Sequence, residues 1–168
     1  VTRSITVPAA VLGIVLAAGG CGVRPTGTTS AGITPRAGAQ AEHITIYLVK
    51  DGGLTAVTRP GLPGRPFLGI AQLAVRPTSW EWRQGLRTEV PGPLGGAPGP
   101  TTAYPDGTVR TYVMISLKPP EKPLSRTAIA QIVCTAAAVP GYHGAALQQV
   151  EGGGHTMHDC DEYADLLG

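Results

Sequence analysis

Apolar and polar side chains alternate most clearly at two places in the chain. In HITIYLVK, residues 43–50, Ile44, Ile46 and Leu48 alternate with Thr45, Tyr47 and Val49. A period of two puts successive side chains on opposite faces, so the segment predicts a strand. Asp51-Gly52-Gly53 can supply positive φ for a turn, and Leu54 to Thr58 predict the return strand of a hairpin. The second alternation, TVRTYVMISL at residues 108–117, sets Val109, Thr111, Val113, Ile115 and Leu117 against Arg110, Tyr112, Met114 and Ser116, entered through Asp106-Gly107.

Elsewhere the spacing is helical. Phe67, Ile70, Ala71 and Ala74 predict a helix that Pro77 stops. Ile129, Ile132, Val133, Ala136 and Ala137 form an apolar stripe on a second helix, opened by Leu124-Ser125 and closed near Ala138 by Pro140-Gly141. Between the helices, Thr78 caps a short turn, and Glu81 three residues on completes a capping box. Trp80 and Trp82 belong to that turn. Leu86 to Val90 predict an extended segment and Ala145 to Val150 a weak strand.

The 24 glycines and 16 prolines sharpen this map because they cluster. Residues 22–41 carry almost no large apolar side chains and predict a flexible tether, and residues 91–107, PGPLGGAPGPTTAYPDG, predict a long loop. The expected core is thereby confined to 43–90 and 108–150, with residues 151–168 as a tail lacking a core pattern. Net charge is only +2, and no run of Lys or Arg interleaves with aromatics. Neither nucleic acid nor a polybasic membrane surface is therefore expected as a partner.

At the start, one positive charge at Arg3 precedes apolar residues from Ile5 to Ala18, interrupted at Pro8. About 20 apolar residues are needed to span a bilayer, so the run has secretory rather than transmembrane proportions. Ala18-Gly19-Gly20-Cys21 resembles a bacterial lipobox, although Ala18 stands where Leu is commoner. The expectation is a signal peptide over 1–20, lipidation of Cys21, and a tether over 21–42, with the cell membrane as first partner and its extracytoplasmic face as the location. Acylation by two chains anchors stably without a spanning helix. An ordinary signal peptide cut elsewhere, or an uncleaved anchor, are the other readings of the same run.

The order of these segments is itself familiar. ITIYLVKDGGLTAVTRP, LAVRPTSWEWRQGLRTEVP, GTVRTYVMISL and LSRTAIAQIVCTAAAV resemble, in sequence and order, the GerMN domain of small lipoproteins from high-G+C Gram-positive bacteria. The resemblance covers about residues 43–150, and GCGVRPTG is similar to the start of their mature part. Arg76 stands where Gly usually precedes Pro-Thr, and the loop at 91–107 is long, departures that bear on a shared partner surface. The resemblance implies an α+β fold, a small sheet with two main helices packed on one face, related to ring-building motifs. It implies interaction with another envelope protein, with no enzymatic chemistry and no cofactor.

If Cys21 is lipidated, Cys134 and Cys160 remain as an even pair in an oxidising compartment, which predicts a disulfide between the second helix and the tail. The competing reading makes Cys134 a small buried hydrophobe and Cys160 a free thiol. The tail HTMHDCDE holds His155, His158 and Cys160 among carboxylates, types able to ligate zinc or copper. A metal- or small-molecule-binding module using this tail is the alternative function. Three preceding glycines leave its geometry unset, and a disulfide would remove the thiolate, so no metal is assigned. No hydrolase elbow, Walker loop or dinucleotide fingerprint occurs, and Ser79, Ser116 and Ser125 fit a first turn, a polar strand face and a cap. Trp80 and Trp82 are either one core and one half-exposed ring, or an aromatic anchor for a protein partner or sugar polymer.

Overall fold

The computed structural model describes residues 43–117, 123–148 and 154–168. The expected signal peptide, tether and Cys21 lie outside them. The described residues form an α+β fold with two sheets. In the first, β1 (His43–Lys50) pairs antiparallel with β2 (Gly53–Pro60), with Lys50 opposite Gly53. Asp51 and Gly52 turn the corner at φ of 51° and 84°, the doubly positive pair that matches the twist of a tight hairpin. Ile46, Leu48 and Leu54 are buried, as the alternation requires.

The chain then forms α1 (Leu68–Leu73), α2 (Ser79–Arg83), β3 (Leu94–Ala103), β4 (Val109–Leu117), α3 (Arg126–Ala137), β5 (Gly144–Gln148), β6 (His155–Asp159) and 3₁₀ turns over Cys160–Leu166. The second sheet has the order β3-β4-β5-β6. Only β4 and β5 run parallel, joined through α3 as a βαβ crossover. Ser125 caps α3 by accepting the Ala128 N–H at 3.0 Å. Ile132, Val133 and Ala136 are buried with Val113, Ile115, Ala145 and Leu147 of the sheet.

Two buried polar residues of α3 close the free edge of β1. Thr135 Oγ1 accepts the Tyr47 N–H at 3.0 Å, and Gln131 Nε2 donates to the Tyr47 carbonyl at 2.9 Å. Gln131 Oε1 also accepts the Glu89 N–H at 2.8 Å. Farther along, Val49 and Arg87 exchange both backbone hydrogen bonds at 2.8 Å. With the backbone groups of Tyr47 and Val49 satisfied, this stretch of the edge offers no template for another strand.

Five expectations are corrected. The single small sheet is two. Helix α1 buries Ile70 and Leu73, whereas Phe67 and Ala74 are half-buried and Ala71 is exposed, so its inward face is rotated from the predicted one. The predicted loop at 91–107 contains β3. Its prolines are tolerated because β3 is an edge strand, and its register shifts between Pro98 and Thr101. The predicted tail is part of the fold: β6 pairs with β5 from Gly144–Asp159 to Gln148–His155, and Tyr163 is buried. The extended segment at Leu86–Val90 reduces to the bridge at Arg87. Among the described residues no helix is long and apolar enough to cross a membrane.

Candidate functional site

Helix α2 has only five residues, too few to be stable by its own hydrogen bonds, and two side chains fix it. Thr78 Oγ1 accepts the Glu81 N–H at 3.2 Å while Glu81 Oε2 accepts the Thr78 N–H at 2.6 Å. The Glu81 carboxylate is buried beneath the helix. There Arg59 of β2 grips it with both prongs of its guanidinium, Nε to Oε1 at 2.9 Å and Nη2 to Oε2 at 2.8 Å. Arg59 Nη1 donates in addition to Gln72 Oε1 of α1 at 2.9 Å. These hydrogen bonds from Arg59 hold the Glu81 carboxyl below its ordinary range, against burial that pushes it up.

With Glu81 pointing inward, the tryptophans on either side of it are left outside. Trp80 and Trp82 are each 59% exposed, so neither is the core ring that one reading anticipated. The Arg87 guanidinium lies 4.7 Å above the Trp82 ring, a cation–π contact. Its Nη1 also donates to the Leu86 carbonyl at 3.0 Å. Val75 is half-exposed beside the exposed Arg76. Sequence reasoning found the tryptophans but not Arg59 or Arg87. Arg59 lies 22 residues from Glu81, and no local pattern announces so distant a pairing.

A concave region opens between β4, the end of α3 and β6. This cleft of about 600 Å³ is lined by Arg110, Tyr142, His143, Asp159, Cys160 and Asp161 among others. Arg110 Nη1 pairs with Asp159 Oδ2 at 2.5 Å, and the Tyr104 and Tyr112 hydroxyls share a hydrogen bond at 2.6 Å. Burial first, then the Tyr104 hydrogen bond and the Asp159 charge, push the Tyr112 hydroxyl far above its ordinary range. Tyr112 therefore stays protonated at neutral pH. His143 Nδ1 accepts the Thr111 N–H at 3.2 Å. The set ties β4 to β6; it does not place a nucleophile against a base.

The tail residues separate. Cys134 and Cys160 form a disulfide with Cα atoms 4.7 Å apart, so Cys160 offers no thiolate. His158 Nδ1 lies 3.1 Å from Glu162 Oε2 and 3.3 Å from the Tyr163 hydroxyl, whereas His155 is exposed at the opposite end of β6. Among the described residues no three His, Cys, Asp or Glu side chains converge as a metal site. Compared with protein-family models, curated proteins and solved structures, the chain matches none.

Proposed function

We propose that this chain is a membrane-anchored extracytoplasmic lipoprotein, lipidated at Cys21, whose GerMN-like domain acts by binding rather than catalysis and engages another protein of the cell envelope. The supporting observation is the disulfide between Cys134 and Cys160. Such bonds persist in oxidising compartments outside the cytoplasm, the destination expected from the lipobox-like run ending in Ala18-Gly19-Gly20-Cys21. The tether expected over residues 21–42 would have an r.m.s. reach of roughly 25 Å, which would keep the domain near the membrane. The exposed tryptophans of α2, Trp80 and Trp82, leave a large aromatic surface free for contact.

Intact mass spectrometry of the chain made in a lipoprotein-competent bacterium tests the proposal. The expected product begins at an acylated Cys21, sediments with membranes and gains two hydrogens on reduction, one per thiol of Cys134 and Cys160. A Cys21→Ala chain should carry no lipid and leave the membrane fraction. An unmodified wild-type chain would overturn the anchored reading.

A further inference from the structure

The charge around the tryptophans is one-sided. From Val75 to Arg87 the chain carries four ionisable side chains, Arg76, Glu81, Arg83 and Arg87. The single carboxylate among them, Glu81, is buried and already neutralised by Arg59. The three arginines are exposed, so the surface presented by this segment is cationic and aromatic. Its shape is informative as well. At 3.6 residues per turn, Trp80 and Trp82 each stand about 100° from Glu81, on opposite flanks of the helix, with Arg83 on the outward side. Two rings splayed either side of a buried carboxylate make a broad band, whereas the anchors of a protein interface gather in one pocket.

We infer that this band docks the domain onto the surface of an anionic lipid bilayer. Tryptophan is suited to the headgroup region because its ring is apolar and its indole N–H polar, and arginines near an anionic surface are drawn to it electrostatically. The inference deepens the anchored reading and rests on it for proximity: 21 residues separate Cys21 from His43, where β1 begins. A tether of that length holds the band at high effective concentration over the leaflet, and docking there leaves the rest of the domain to the protein partner.

Trp80 and Trp82 are the two tryptophans of the chain, so emission excited beyond the absorption of its tyrosines reports on this band alone. The full acylated chain is reconstituted into vesicles of phosphatidylcholine, or of phosphatidylcholine with about 30% phosphatidylglycerol. The expected result is a blue-shifted emission, protected from an aqueous quencher, on the anionic vesicles only and reversed by about 0.5 M salt. Arg76→Gln, Arg83→Gln and Arg87→Gln should each lower the docked-to-undocked ratio about fivefold, with circular dichroism confirming that each variant is folded. Retention on neutral vesicles reads the anchor separately, so its failure would overturn the anchor while the difference between anionic and neutral vesicles still decides the band. Equal emission on both vesicle types, or a change that requires an added envelope protein, would overturn the inference.

Discussion

Glu81 shows how one carboxylate can set the orientation of its neighbours. Its role in the capping box is legible from Thr78-Ser79-Trp80-Glu81, because the box is a local pattern. Its burial is not, because the partner that permits it, Arg59, comes from another element. Removing one member of a buried pair strands the other charge, so Glu81→Ala should destabilise the domain by about 3–5 kcal/mol in urea unfolding. Arg59→Met combined with Glu81→Leu should cost less than Glu81→Ala alone, since neither charge is then left buried. A double variant as damaging as the sum of the singles would mean that the pair is not coupled. The pH dependence has a definite sign. Arg59 holds the folded-state pKa of Glu81 below its ordinary 4.5. The contribution is therefore complete above about pH 4.5 and is lost as pH falls through the depressed folded value. Stability should decline more steeply below pH 4.5 in the wild type than in Glu81→Gln.

Among the elements, those with strict periodicity were readable and β3 was not. Glycine and proline in LGGAPGPTTA are ordinarily signs of a loop, yet here each has a place in an edge strand. A Cβ on Gly96 would meet the Phe67 Cβ at 2.9 Å, so the missing side chain is space already used by the segment leading into α1. At Gly99 the approach is to backbone: a Cβ would lie 2.5 Å from the Tyr112 carbonyl oxygen and 2.6 Å from the Met114 nitrogen. Composition conveys that a side chain is absent, and only the tertiary neighbours explain why. Gly99→Ala should therefore destabilise the fold by about 1–3 kcal/mol, with faster hydrogen exchange along β3 and β4. Gly95→Ala is the matched control, because its nearest neighbour, the Ser116 Cβ, is 3.9 Å away. Equal effects at the two positions would show that backbone entropy, not crowding, governs this strand.

At the scale of the whole molecule, the last segment joins the two sheets. The sequence shows no core periodicity after residue 150, because β6 is a short edge strand with an exposed face and the following turns bury a single large side chain, Tyr163. What holds the segment is distributed over contacts with distant parts of the chain. Leu167 bridges Leu54 of β2, β6 pairs with β5, Cys160 is bonded to Cys134 of α3, and Arg126 grips Asp165 with two hydrogen bonds at 2.8 Å. The disulfide spans 26 residues, for which chain entropy alone gives about 3.5 kcal/mol. Cys134→Ala with Cys160→Ala should accordingly lower the melting temperature by roughly 10–20 °C. Ending the chain at Gly153 should lower it further, because strand pairing and Tyr163 are lost along with the bond. A solvated tail would behave otherwise: truncation would cost no more than the disulfide itself. Scanning calorimetry of the wild type, the cysteine double variant and the truncated chain separates these cases, and equal transitions in the last two would restrict the tail's contribution to its covalent link.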